Sequence, residues 1–217
     1  MKGSQVKTNV LSIKMIPHAD PILCRFLKAA PGKRSLGILT TDCDDVSYTA
    51  LDEATKKANV EVVYAQSMYA GASNASTALA GEFIGIVAGE NPEEVRSGLE
   101  AAVAFMEEEC HFVSACDDDS VVYFSHCISR TGSFLSEQAS VPKGISMAYL
   151  IAPPLEAMIG LDAALKAAQV ELRIFYGPPT ATNFAGGLLT GDQAACKAAC
   201  DAFAEAVCQV AEGPLVY

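Results

Sequence analysis

The sequence predicts an α+β protein made of two similar domains. Three observations carry that expectation. First, LDEATKKANVEV (Leu51–Val62) recurs as LDAALKAAQVEL (Leu161–Leu172) at a constant offset of 110, with seven of twelve positions identical. Second, SLGILT (Ser35–Thr40) matches SMAYLI (Ser146–Ile151) at an offset of 111, and a Gly before a long helical stretch recurs as Gly89 and Gly191. Third, strand and helix patterns alternate in the same order in both halves, which implies helices layered on sheets. The expected domains are residues 1–109 and 110–217.

Each half opens on an apolar strand, Val10–Ile16 and Val121–Ser125. A short helix follows, and then a buried strand, Ser35–Thr41 and Ile145–Ala152. Next come helices over Asp45–Ala58 and Leu155–Ala168, whose apolar and small residues return with helical spacing on one face. Strands rich in β-branched residues follow at Val60–Ala65 and Val170–Tyr176. After each lies an uncharged loop, Gln66–Ala80 (QSMYAGASNASTALA) and Tyr176–Ala185 (YGPPTATNFA). Strands Gly81–Ala88 and Ala185–Leu189 lead into closing helices, Pro92–Cys110 and Gln193–Ala211. Pro92 suits a first helical turn, where its missing N–H costs nothing. Asn91 and Asp192 are placed to cap these helices, and Asp44 or Asp45 to cap the helix before Val60.

Composition narrows the function. The 217 residues carry 15 Lys+Arg against 26 Asp+Glu, a net charge of −11, so no basic surface exists to neutralise a nucleic acid or an anionic membrane. Hydrophobic residues make up 51% and charged residues only 19%, too apolar for a disordered chain. The longest uncharged stretches are rich in Gly, Ser, Thr, Asn and Pro and do not read as membrane helices. The N-terminal MKGSQVKTNV lacks the apolar core of a secretory signal, so the expectation is a cytoplasmic protein with its eight Cys reduced. Sparse charge without a membrane segment predicts surface buried against further copies.

Longer runs carry a resemblance. RSLGILTTDCDDVSY, DEATKKANVEVVYAQSMYAGA, SRTGS, MAYLIAPPLEA and LTGDQAACKAAC resemble the tandem-domain bacterial microcompartment (BMC) shell proteins of ethanolamine utilisation, from about Arg34 to Glu212. The resemblance implies two circularly permuted, ferredoxin-like BMC domains per chain. It implies a homotrimer that imitates a hexamer, tiles with other BMC shell proteins, and has a gated pore on its three-fold axis. No catalysis is expected, and no cofactor.

Under that resemblance the two uncharged loops are the candidate gate: Ser67, Met68, Tyr69, Ala70 and Gly71 in one, Thr180, Thr182 and Asn183 in the other. Tyr69, large with a polar tip, is the expected plug, and Gly71 and Gly187 the flexible points. The resemblance also implies ethanolamine binding near small pores within the subunit. A small ammonium with a hydroxyl wants carboxylates, an aromatic face and a hydroxyl. Asp44, Asp45, Glu82, Phe112 and Thr182 are the candidates, and Pro154–Leu155 in the second half makes such a site asymmetric. The plainer reading of Asp44 and Asp45 is acidic charge at a helix N-terminus. Cobalamin is a conceivable cargo, because the pathway's lyase uses it, but no residue pattern selects for it.

Other chemistries find little support. No GxGxxG after a strand, P-loop, HExxH or GxSxG occurs. Cys110, His111, Cys116, His126 and Cys127 have no standard zinc spacing. Cys196 and Cys200 share a helix face and read as core. The competing functions are a cytosolic amine sensor of duplicated domains and a Cys/His or zinc enzyme. Arg130-Thr131-Gly132-Ser133 is family-like, with no chemical role legible in the sequence.

Overall fold

The structure, a computed structural model, describes residues 1–68 and 79–215. The repeat in sequence becomes a repeat of topology. Strands β1 (Gln5–Val6) and β2 (Val10–Ile16) lead to helix α1 (Pro21–Phe26), strand β3 (Ser35–Thr41), helix α2 (Asp44–Lys57), strands β4 (Val60–Ser67) and β5 (Phe83–Gly89) and helix α3 (Pro92–Glu108). The second series is β6 (Phe112–Ser114), β7 (Val122–Ile128), α4 (Ser133–Gln138), β8 (Ser146–Ala152), α5 (Pro154–Ala167), β9 (Glu171–Tyr176), β10 (Ala185–Gly191) and α6 (Gln193–Glu212). One antiparallel sheet has the order β2-β3-β5-β4, and the other contains the same order as β7-β8-β10-β9, extended by β6 and β1. In both, a helix connects two strands that flank a third, the split βαβ arrangement.

The chain divides into two compact units: Thr8–Cys110 with Gly132–Leu135, and Met1–Lys7 with His111–Thr131 and Ser136 onward. They are called here the first and second unit. The N-terminal segment joins the second unit as strand β1, which pairs with β6 at Gln5–Val113 and Val6–Phe112. Neither short strand shows in the sequence, because two or three residues are too few to display a period of two.

The cores follow from the apolar patterns. In the first unit β3 and β5 run side by side from Ser35–Gly89 to Thr41–Phe83. Leu36, Leu39, Phe83 and Val87 are buried with Val46, Ala50 and Leu51 of α2 and Val95, Leu99 and Met106 of α3. In the second unit Leu150 and Leu189 pack with Leu161 and Ala164 of α5 and Phe203 and Val207 of α6. Each large side chain buried in this way contributes about 1.5–3 kcal/mol. Cys196 and Cys200 belong to that cluster, as the helical stripe suggested.

The expected caps are present on α3 and α6. Asn91 accepts the Glu94 N–H at 2.9 Å, and Asp192 accepts the Ala195 N–H at 2.7 Å. On α2 the expectation fails. Cys43 holds the N-cap position with no side-chain bond, and Asp44 and Asp45 lie in the first helical turn. There they complement the positive end of the helix without capping it. Other boundaries shift slightly: β7 extends to Ile128, and β4 extends through Gln66 and Ser67, which the sequence placed in the loop.

Candidate functional site

The acidic cluster sits where β3 runs into α2, with the start of β5 beside it. Asp44 and Asp45 are 7% and 6% exposed. Asp44 accepts the Asp45 N–H at 2.9 Å. Asp42 accepts from both the backbone and the side chain of Asn9, at 2.7 and 2.6 Å, which ties β2 to the end of β3. Glu82 is held through its backbone: its N–H donates to the Thr41 carbonyl at 2.9 Å, and its carbonyl accepts the Met68 N–H at 2.8 Å. Burial pushes the Glu82 carboxyl above its ordinary value, and the charges of Asp44 and Asp42 push it the same way. Three of these four acids thus share one electrostatic environment on the first unit, and a cation there would relieve it.

Tyr48, one turn into α2, was not singled out by the sequence. Its hydroxyl is 2.9 Å from Ser67 Oγ, and its ring meets Phe83 edge-on at 4.8 Å. Burial raises its hydroxyl's pKa, and Asp44 and Asp45 add to the effect. Ser67 is therefore fixed at the end of β4, and Met68 is fixed through Glu82. Tyr69, Ala70 and Gly71 lie outside the described residues.

The equivalent loop of the second unit is built from its own backbone bonds. Thr180 N–H donates to the Phe184 carbonyl at 2.8 Å, and Asn183 N–H to the Thr180 carbonyl at 3.1 Å. Thr180 Oγ1 accepts the Phe184 N–H at 3.2 Å and lies 3.4 Å from Thr182 Oγ1. Asn183 adopts a left-handed φ of 66°, which Asn tolerates better than most side chains. Gly187, expected as a flexible point, is instead inside β10. A Cβ there would stand 2.5 Å from the Ile174 carbonyl oxygen, so close packing of strands explains the glycine.

Phe112 belongs to an aromatic cluster of the second unit. It stacks on Phe124 at 5.4 Å and meets Phe184 edge-on at 5.7 Å, and Phe124 meets Tyr149 at 5.4 Å. Thr182 is 9% exposed. Asp44, Asp45 and Glu82 thus lie in the first unit, and Phe112 and Thr182 in the second.

The Arg130–Ser133 motif gains a physical account. Asp52 of α2 is fully buried and accepts the Gly132 N–H at 2.6 Å and the Leu135 N–H at 2.9 Å. Thr55 Oγ1 accepts the Ser133 N–H at 3.0 Å, and Phe134 stacks on Tyr48 at 6.2 Å. Helix α2 thereby caps the first turn of α4, whose N–H groups have no partner within their own helix. A Cβ at Gly132 would stand 2.4 Å from Thr55 Oγ1 and 2.5 Å from the Asp52 carbonyl oxygen, so only glycine fits. Burial raises the Asp52 carboxyl's pKa against the lowering effect of these two N–H groups. The partners are about eighty positions apart in sequence, so no local pattern announces them.

The thiols are built for packing. Burial pushes Cys196 to about 11 and Cys200 to about 12, far from the low values of a reactive thiol. No group of three or more His, Cys, Asp or Glu among the described residues is arranged to hold a metal. No described helix is long and apolar enough to cross a membrane.

Two copies of a split βαβ unit, one after the other in the chain, describe a duplicated domain. A sequence model of the BMC domain matches residues 35–116 and 152–217. The first match begins at β3 and the second at the end of β8. The bacterial microcompartment shell protein EutL of Clostridium perfringens is 61% identical over 99% of both chains. The crystal structure of EutL from Leptotrichia buccalis superposes with a TM-score of 0.97 at 64% identity, covering 100% of both chains. PduB, described as a trimeric microcompartment shell protein, shares the fold at 20% identity with a TM-score of 0.74, covering 93% of this chain and 89% of its own. The chain belongs to the BMC-domain family, among its EutL shell proteins. Its place is the microcompartment shell, and its role there is structural rather than enzymatic.

Proposed function

We propose that the chain forms a trimeric tile of an ethanolamine-utilisation compartment, with the Ser67–Gly71 and Thr180–Asn183 loops gating a pore on the three-fold axis. The observation that carries this reading is full-length similarity to EutL together with a duplicated unit. Three chains supply six similar units, enough to close a ring with nearly hexagonal edges. The two loops follow equivalent strands, β4 and β9, so both sets would meet the same axis. Their mostly small, uncharged residues suit a hole that passes small solutes.

Ethanolamine is the proposed ligand of the acidic corner. Asp44, Asp45 and Glu82 of the first unit supply charge for its ammonium. Support comes from Glu82, whose carboxyl is raised first by burial and then by the charges of Asp44 and Asp42, which a cation would offset. Met68 hangs from the Glu82 carbonyl, so a ligand at Glu82 is one bond from the first gate loop. It shifts the gate only by binding one state more tightly than the other. Titration calorimetry with ethanolamine tests this. Wild-type protein should bind, Asp45→Asn should bind at least tenfold more weakly, and equal affinity in both would contradict the assignment.

A further inference from the structure

Strand β2 is an edge of its sheet, and its counterpart β7 is not. On its outer side β7 pairs with β6, and β1 lies beyond, whereas no described strand pairs with the outer side of β2. An unpaired edge is a row of N–H and C=O groups ready for another strand. In the second unit the added segment also satisfies a charge: Lys2, just ahead of β1, pairs with Glu212 of α6 at 2.5 Å.

A groove of about 610 Å³ follows the bare edge, wholly within the first unit. Ile13 and Met15 of β2 and Leu99 and Val103 of α3 give it an apolar lining. Ile13 is 37% exposed. At the offset of 112 between β2 and β7 the counterparts are Ser125 and Cys127, which are smaller. Ser125 Oγ donates to the Cys200 carbonyl at 2.9 Å, joining strand to helix where the first unit leaves a groove. The charges differ in the same way. Lys197 and Asp201 of α6 pair at 2.8 Å. Their counterparts on α3, Arg96 and Glu100, have the same signs and spacing, form no ion pair among the described residues, and line the groove with Glu107.

We propose that this edge and groove bind an extended segment of a different protein, added as a strand antiparallel to β2. Its backbone pairs with β2, its alternate apolar side chains enter the groove, and its C-terminal end carries a basic residue. Main-chain bonds then give affinity and the alternate side chains give selectivity. From Arg96 to Glu107, α3 rises about 16 Å, the span of about five extended residues. Met15 pairs with Gly37, where a Cβ would meet Val95 and Leu99, so Met15 lies at the Arg96 end. Strand β2 therefore runs toward Arg96, and a strand antiparallel to it, as β6 is to β7, ends beside Glu107. Glu100 and Glu107 on a chain of net charge −11 favour a basic residue there. The chain's own N-terminal strand is not the occupant, because β1 is paired with β6.

The groove shares no residue with the gate loops or the acidic corner, so its test does not depend on theirs. The probe is a labelled, end-blocked peptide, Asp-Thr-Val-Thr-Val-Thr-Lys, titrated with the full chain and followed by fluorescence anisotropy. Asp, both Val and Lys share one face of the extended peptide, and wild-type protein should bind it saturably. Asp-Val-Val-Thr-Thr-Thr-Lys has the same composition without the alternation and should bind at least tenfold more weakly. Ile13→Asp should weaken binding of the first peptide at least tenfold. The double variant Glu100→Lys, Glu107→Lys should do the same, and should recover binding when the peptide's Lys is replaced by Glu. These side chains are exposed, so each variant should keep the wild-type circular dichroism. No saturable binding to wild type overturns the proposal, as does equal binding of the two peptides or undiminished binding by Ile13→Asp.

Discussion

The α2 and α5 faces descend from one pattern, LDEATKK and LDAALKA, and have diverged in what covers them. On α2 a buried aspartate, a tyrosine and a threonine receive a segment that arrives from far along the same chain. On α5 the aspartate is exposed and its neighbours have become Leu, Met and Ile. The difference teaches how two copies of one pattern specialise according to what covers them. The contact inside the chain can specialise toward buried hydrogen bonds, since its partner is always present. On α5 no described segment brings such hydrogen bonds, and Leu155, Met158 and Ile159 stay exposed.

Breaking the finished face should cost most. Asp52→Ala leaves the buried Gly132 and Leu135 N–H groups without their acceptor, a loss of about 3–5 kcal/mol from urea unfolding. Gly132→Ala drives a Cβ against the Asp52 backbone and should cost about 2–3 kcal/mol by the same measurement. Phe134→Ala removes the stack on Tyr48 and should cost about 2 kcal/mol.

The acidic corner sharpens the comparison through pH. Glu82 has a folded pKa raised above 4.5, so its contribution is fully present below 4.5 and is lost as pH rises through the folded value. Glu82→Gln removes that loss. Melting temperature at pH 7 should be equal to or higher than wild type, and the decline between pH 4.5 and neutrality should flatten. If ethanolamine binds there, the same variant should bind it more weakly. A variant both less stable and equally able to bind would contradict the assignment. The smallest effect belongs to Asp162→Ala. It loses only an exposed pair with Lys166 and should change unfolding by less than about 0.5 kcal/mol, against the large loss at its counterpart Asp52.

Much of the fold was legible because strong periods survive in both copies. The offset of 110 matched α2 to α5, and Asn91 and Asp192 announced their helices by residue type alone. Strands β1 and β6 escaped because they are too short to show a period. The capping expectation for Asp44 and Asp45 failed because three candidate acids flank Cys43, and residue type does not say which backbone position begins the helix. Asp44 and Asp45 stood out because they are side by side in the sequence, and Glu82 because it starts the next strand. Asp52 could not, because its partners lie near position 132 and its own surroundings read as an ordinary amphipathic helix. Tyr48 was hidden likewise, since its role depends on Ser67 and Phe134, which no spacing joins to it.

The most direct test of the account is mass by light scattering at low concentration, followed by negative-stain microscopy as concentration rises. A shell tile predicts three times 22.7 kDa in dilute solution and flat hexagonal sheets when concentrated. A species of one or two chains that never forms sheets would contradict it.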